Sequence, residues 1–275
     1  MNDSHPRDVG KHQTTLRAAE TFGLGELDIL HPSGSFALTP ASLIAVEAIG
    51  RNQQLLSGIG IDWGCGSGCM AIAAAKIAAV EHVIGLDIVD ANVTVARENA
   101  QRNGVDRKTT FLQSDSYAPA LAGEATWLDS FARRADFILS NPPASDGDDG
   151  FEFRRIVLRD GRRFLKPGGV VFLNVSFQYG PQRVERLVCD APGYLYRGVI
   201  ASTGWVPFDL TREDLLQNVH DYVREEERGG LEYAFRGPLT DTSETVNARR
   251  ALAVFQQTRL SPLSKWQTHL FVFNA

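Results

Sequence analysis

At 275 residues the chain is long enough for one large domain or two small ones, and 43% hydrophobic with 22% charged residues is the make-up of a globular protein with a sizeable core. Lysine plus arginine (28) against aspartate plus glutamate (33) gives a net charge of -5, which excludes a globally basic nucleic-acid binder. Three cysteines, Cys65, Cys69 and Cys189, exclude a disulfide scaffold and fit a reducing compartment.

The first residues, MNDSHPRDVGKHQTT, are polar and contain no signal-peptide core. The most apolar stretch, 70–80, is broken by Lys76 and is too short to span a bilayer. The expectation is a soluble, cytoplasmic protein with no membrane partner. Residues 1–50 are expected to form an N-terminal helical segment, with helices near 14–22 and 40–49 and Pro40 in a first-turn position. From about residue 57, short apolar runs alternate with helical ones. GIGIDWG, HVIGLDI, TTFLQSD, ADFILSN and GVVFLNVSF read as strands. SGCMAIAAAKIAA, DANVTVARENAQRNG (stopped by Gly104) and 151–165 read as helices. This alternation predicts an α/β fold with a doubly wound, mostly parallel sheet.

After Pro207 the pattern turns helical, with helices near 212–228 and 243–257 and helix-start pairs Thr211/Asp214 and Asp241/Glu244. The chain then finishes on the apolar run THLFVFNA. Three units follow: the segment 1–50, a ligand-binding domain of 51–207 plus 266–275, and an insertion 208–265 between two late strands. Because most connections between neighbouring strands run about 4–6 residues, a long insertion with aromatic residues suits a lid over a site. A packing or dimerisation appendage is the other reading. The oligomeric state is left open.

Asp62-Trp63-Gly64-Cys65-Gly66-Ser67-Gly68 lies where the first of these strands turns into a helix. Glycines there permit positive φ and close approach of the backbone to a ligand, and the helix N-terminus favours an anionic group. A tight turn alone would also use glycine. The dinucleotide fingerprint G-x-G-x-x-G is absent, because Cys69 stands at its third glycine. Asp87, followed by Ile88, ends the second strand, where a carboxylate can accept both ribose hydroxyl hydrogens. Asp115, followed by Ser116, ends the third, within reach of an adenine edge. Each acid alone reads as a helix cap or a solvated turn residue. Three of them around one glycine loop point to a bound nucleoside.

In these features the chain resembles the class I S-adenosylmethionine-dependent methyltransferases over about 57–205, with THLFVFNA completing the sheet as an antiparallel last strand. The resemblance implies S-adenosyl-L-methionine as cofactor. Its methionine portion would lie on Asp62, Gly64, Cys65, Gly66 and Gly68, its ribose on Asp87 beside Ile88, and its adenine amino group on Asp115 beside Ser116.

The fourth strand ends in Ser140-Asn141-Pro142-Pro143-Ala144. Two prolines fix the backbone and remove two N–H donors, leaving carbonyl oxygens to accept, while Asn141 adds a carboxamide. Such a site can take the two hydrogens of a planar amino group and aim its lone pair at an incoming methyl. In isolation the run is a rigid turn. In this position it resembles the N-P-P-[YFW] signature of HemK-type release-factor glutamine methyltransferases and of RNA and DNA base N-methyltransferases. Asn141, Pro142 and Pro143 are the catalytic candidates, and Asn141 also borders the cofactor. Ala144 replaces the stacking aromatic, which disfavours a flipped base; Phe151 or Phe153 is a candidate substitute.

The run Ser145-Asp146-Gly147-Asp148-Asp149-Gly150 lacks the calcium-loop ligand order and reads as a solvated turn or an acidic lip drawing a cationic substrate. No cysteine–histidine spacing suits a metal. His31, His82, His220 and His269 read as structural, Arg154-Arg155 and Arg162-Arg163 as a solvated helix face, and 34–40 as a segment over the cofactor. The expected function is methylation of an amide or amino nitrogen on a small molecule or protein side chain, nucleic acid being the less favoured partner. Alternatives are an RNA or DNA base N-methyltransferase and a non-catalytic nucleoside-binding protein of the same fold.

Overall fold

The structure is a computed structural model that describes residues 13–31, 38–145, 149–238 and 245–274. Strands β1 (Gln13–Leu16) and β2 (Leu27–Leu30) form an antiparallel hairpin. The helix expected over 14–22 is therefore absent. Thr14 and Thr15 are β-branched, and Leu27 and Ile29 alternate onto one fully buried face, a strand period that outweighs local helix preference. Helix α1 (Pro40–Arg51) does form, with Thr39 as its N-cap accepting from the Ser42 N–H and Pro40 in the first turn. The described part of the N-terminal segment is thus a hairpin plus one helix.

The central units follow in order: β3 (Gly58–Trp63), α2 (Cys69–Ala75), β4 (Val80–Asp87), α3 (Asp90–Arg102), β5 (Thr109–Asp115), β6 (Ala118–Pro119), α4 (Ala122–Asp129), β7 (Ala135–Ser140), α5 (Glu152–Gly161), β8 (Leu165–Asn174), α6 (Gly180–Asp190) and β9 (Tyr194–Ser202). The insertion contributes β10 (Val206–Pro207), α7 (Glu213–Glu227), β11 (Phe235–Arg236), β12 (Thr245–Val246), α8 (Ala248–Thr258) and β13 (Leu263–Ser264), and β14 (Gln267–Phe273) closes the sheet. The eight-stranded sheet runs β6-β5-β4-β3-β7-β8-β14-β9, parallel from β5 to β8. β14 lies antiparallel between β8 and β9. β3, β4 and β7 are buried apolar runs because helices cover both faces. Strand order reverses between β3 and β7, and the crevice beyond their carboxyl ends is where such sheets bind ligands.

The insertion is more than two helices. β10, β13, β11 and β12 make a small antiparallel sheet, and its short strands carry too little pattern to read from sequence. Thr211 does not cap α7: its N–H and hydroxyl both donate to Asp209, and Arg212 occupies the cap position. Asn247 caps α8, accepting from the Arg250 N–H at 3.0 Å. The expected Asp241/Glu244 start lies outside the described residues. Val219, Tyr222, Phe235 and Phe255 belong to the same buried cluster as Ile138 and Leu173 of the main sheet, so the insertion shares that core. Among the described residues no helix is long and apolar enough to cross a membrane.

Candidate functional site

The glycine loop starts from Asp62, which is 1% exposed at the carboxyl end of β3. One carboxylate oxygen accepts from the Ala71 N–H in α2 at 2.8 Å, and the other, Oδ1, is buried with no partner among the described residues. Burial raises its pKa to about 7; the Ala71 hydrogen bond opposes the rise and the charge of Asp87 adds to it. Gly64 and Gly66 have φ of 68° and 53°, and a Cβ on either would meet nothing within 4 Å. The loop therefore has positive φ and open space above it, the two properties of a backbone cradle.

Asp87 ties this loop to the end of β4. Its Oδ2 accepts from the Gly66 N–H at 2.8 Å, and Oδ1 from the Val89 N–H and Asn92 Nδ2 at 2.9 and 3.0 Å. Three of roughly four lone-pair positions are used, so one further donor fits without rearrangement, where sequence reasoning offered the carboxylate to both ribose hydroxyls. Ile88 beside it is 63% exposed, an apolar platform at a polar rim. Ser116 adopts φ 55° and accepts from Trp63 Nε1 at 2.9 Å, which joins the end of β5 to the loop. Asp115 and Ser116 border a separate groove of about 660 Å³, not the cavity of the glycine loop.

β7 delivers the acceptor candidates. Ser140 pairs in register with Trp63 and donates from Oγ to the Trp63 carbonyl at 3.1 Å, which sets Asn141 beside the glycine loop. Asn141 Oδ1 accepts from Asn174 Nδ2 at 3.0 Å. Asn174, at the end of β8, is held in turn by Thr268 Oγ1 (2.6 Å) and by its donation to the Ala41 carbonyl (2.7 Å). The Pro142 and Pro143 carbonyls are not free. Arg154 donates to both at 3.1 Å, and also to the carbonyls of Gly150 and Asn174. Arg154 is 4% exposed, with its guanidinium over the rings of Phe151 and Tyr179. It is no solvated residue: a turn of carbonyls without N–H groups calls for a buried donor. Each proline carbonyl keeps one lone pair for a ligand.

One cavity of about 460 Å³ is walled by Gly64, Cys65 and Gly66, by Asn141–Ala144, and by Arg154. Leu38, Thr39 and Pro40, from the segment 34–40 expected over the cofactor, close one side; residues 34–37 lie outside the described residues. Phe208, Arg212, Leu215 and Tyr222 of the insertion and Trp266 beside it close the other. Neither Phe151 nor Phe153 lines it. Phe151 is buried edge-on against Tyr179, and Phe153 packs against Trp63, so neither replaces the aromatic missing at Ala144. Of the acidic run, Asp149 is spent on Arg155: burial opposes its ionisation, but the Arg155 hydrogen bonds hold its carboxyl below the usual range. Residues 146–148 lie outside the described residues.

Burial lifts the Cys65 thiol well up and pushes Cys69 to about 12, so neither is a nucleophile. Of the histidines named above, three make structural bonds: His31 with Thr14, His82 with Thr110, and His269 with Tyr196 and the Val175 carbonyl. No cluster of three metal-ligating side chains exists among the described residues. Sequence reasoning missed Arg154, Asn174 and Asn99. Asn99, fully buried on α3, bonds both backbone groups of Leu30 and donates to the Ser67 carbonyl, so the N-terminal hairpin braces the glycine loop. A polar residue ending the apolar run VVFLN was the one available signal for Asn174.

Comparison with known proteins gives a consistent picture. Residues 32–141 match the family model described as ribosomal protein L11 methyltransferase (PrmA). A curated ribosomal protein L11 methyltransferase of Dechloromonas aromatica is 43% identical over 98 residues, 35% of this chain and 31% of the relative. A release factor glutamine methyltransferase of Moorella thermoacetica is 32% identical over 179 residues, covering 58% of this chain and 62% of the relative. The chain thus spans less than two thirds of the length of these relatives. Among solved structures, the T. thermophilus 16S rRNA methyltransferase RsmC, in complex with AdoMet and guanosine, aligns with TM-score 0.52 and 24% identity over 67% of this chain and 46% of its own. A methyltransferase from Pyrococcus furiosus aligns with TM-score 0.51 and 18% identity over 94% and 92%. The fold is that of the class I methyltransferases, a Rossmann-like α/β fold with an antiparallel last strand.

Proposed function

We propose that this chain is an S-adenosylmethionine-dependent methyltransferase acting on an amide or amino nitrogen of a small molecule or a protein side chain. One observation carries the reading: the glycine loop and Asn141–Pro143 wall the same cavity, so both halves of a group transfer share one space. The relatives support it, since two of them are named ribosomal protein L11 methyltransferase and release factor glutamine methyltransferase.

The residues present fit the cofactor. Gly64 and Gly66 offer an open cradle, Asp62 a buried carboxylate oxygen with no partner among the described residues for a cationic group, and Asp87 a remaining lone pair beside exposed Ile88 for ribose. Asp115 and Ser116 border a separate groove, so an adenine end that reached them would have to lie outside the cavity of the glycine loop. When bound, the cofactor supplies a methyl group on a positively charged sulfur. The chain's part is to position and to match charge. Asn141, fixed by Asn174, keeps one lone pair on Oδ1 for an acceptor N–H, and the Pro142 carbonyl, fixed by Arg154, keeps another. Both oxygens favour an acceptor nitrogen that gains positive charge. The insertion serves as the lid that sets substrate choice, because Phe208, Arg212, Leu215 and Tyr222 form its side of the cavity.

The decisive experiment supplies methyl-labelled S-adenosylmethionine to the purified protein with whole-cell extract, then separates RNA, DNA, protein and small molecules. Label is expected in small molecules or protein. Label in RNA or DNA would establish the base-methylating alternative, and cofactor binding with no label in any fraction would establish the non-catalytic one.

A further inference from the structure

The described cavity wall contains two arginines, Arg154 and Arg212, and no aspartate or glutamate. Arg154 spends four of its five N–H groups on backbone carbonyls, and no carboxylate among the described residues lies in ion-pair range of it. Arg212, from the start of α7, has Nε and Nη2 bonded to Asp214, which fixes the guanidinium. Its Nη1 makes no hydrogen bond among the described residues, and the side chain is 19% exposed. Asn141 is similar: Oδ1 is engaged by Asn174, while Nδ2 has no partner among the described residues. The cavity therefore presents unengaged donors on its acceptor side, with the charge of Arg154 uncompensated by any described carboxylate and that of Arg212 paired with Asp214. A cationic substrate, as an acidic lip would favour, is poorly matched to this wall.

Resting on the methyltransferase reading, we infer that the acceptor molecule carries an oxyanion, a carboxylate or a phosphate, and that Arg212 of the insertion binds it. With Nε and Nη2 held on Asp214, the Nη1 side of the guanidinium is the side left to meet either anion. The cavity of about 460 Å³ is shared with the cofactor's cradle, so the part left for the acceptor admits a small molecule or a single side chain and no folded surface. The substrate class is thus a small anionic acceptor, and Arg212 is the residue that selects it.

The test uses calorimetry on the full chain. S-adenosylhomocysteine is titrated first. Four probes of one ring size, benzoate, phenyl phosphate, benzamide and benzylamine, are then titrated into the loaded protein. Benzoate or phenyl phosphate is expected to bind about 10-fold or more tightly than the neutral and cationic probes, and the tighter of the two names the anion. R212Q should remove that preference and R212E should abolish anion binding, with thermal melting unchanged, R212K retaining part of it, and S-adenosylhomocysteine affinity within about 2-fold of the parent. Equal binding of all probes, binding of none, or a preference that survives R212E would overturn the inference. So would an equal loss of S-adenosylhomocysteine affinity in R212E, since the arginine would then hold the cofactor's own carboxylate. Failure of S-adenosylhomocysteine to bind the parent protein would instead overturn the methyltransferase reading, and this one with it.

Discussion

The two sides of the cavity are built on opposite principles. On the glycine-loop side, partners are near in the fold and several groups are left unspent: Asp62 Oδ1 has no partner among the described residues, and Gly64 and Gly66 face open space. On the acceptor side almost everything is already bonded. Arg154 gathers four carbonyls from three segments, and Asn174 links Asn141 to β14 and α1. The first side waits for a ligand to satisfy it, and the second is rigid before any ligand arrives. A shared, diffusible cofactor needs only a receptive surface, whereas orientation of an acceptor needs preorganised atoms.

That contrast can be broken most forcefully at Arg154. Arg154→Met keeps volume but leaves four carbonyls without their donor, and should destabilise the fold by at least roughly 3 kcal/mol, read by urea unfolding. Arg154→Lys, which keeps charge without the fork, should recover only part of this. A stable Met variant would show that the acceptor side is not held by this clamp. The next effect separates the two sides. Asn141→Ala should lower turnover by about 100-fold while cofactor affinity stays nearly unchanged, since the loss falls on the acceptor. If both parameters fall together, the division between sides is wrong. The reverse pattern belongs to Asp87→Ala, which should weaken cofactor binding about 10-fold, measured by calorimetry, because it removes both the ribose acceptor and the anchor of Gly66.

The smallest effect concerns pH and Asp62. Its folded pKa, raised to about 7 by burial, exceeds the unfolded value of 3.8. The folded state therefore holds the extra proton between them, and this group's contribution to stability is full below the unfolded value and is lost as pH rises towards 7. A cationic cofactor reverses the preference, so its affinity should rise with pH and level off above about 7, by up to about 10-fold between pH 6 and pH 8. Asp62→Asn should flatten that profile, and a parent profile already flat would remove Asp62 from the cofactor's charge. His269 works the other way on stability. Burial lowers its pKa to about 4, against a hydrogen bond to Val175 that raises it, so its contribution is lost as pH falls from 6.5 towards that value.

The same contrast explains what the amino-acid order disclosed. Asp62 to Gly68, Asp87 and the parallel strands around them are local strand–turn–helix signals, and the structure has them where they were expected. Asn141 to Pro143 were legible as a motif but not as a clamped one. Arg154 lies on a helix with charged neighbours, and nothing in its spacing distinguishes it from Arg155, which does pair at the surface with Asp149 and Asp190. Its burial comes from carbonyls of distant segments. Strand β1 was read as the start of a helix and β2 was not singled out, because their pairing and the brace through Asn99 are long-range. The four-stranded sheet of the insertion was missed because strands of two residues carry no period.

β14 has a consequence for the order in which the molecule is made. It is the sole described partner of β9 and the second partner of β8, and it supplies the Thr268 hydroxyl that fixes Asn174 and through it Asn141. During synthesis, the glycine loop and its acids emerge and can fold well before this strand leaves the ribosome. Until it docks, β8 and β9 are bare edges, which are prone to mispairing. The asparagine expected to orient the acceptor also lacks its last support. In the proposed reading, the acceptor side is completed only when β14 docks, after the glycine loop and its acids have formed.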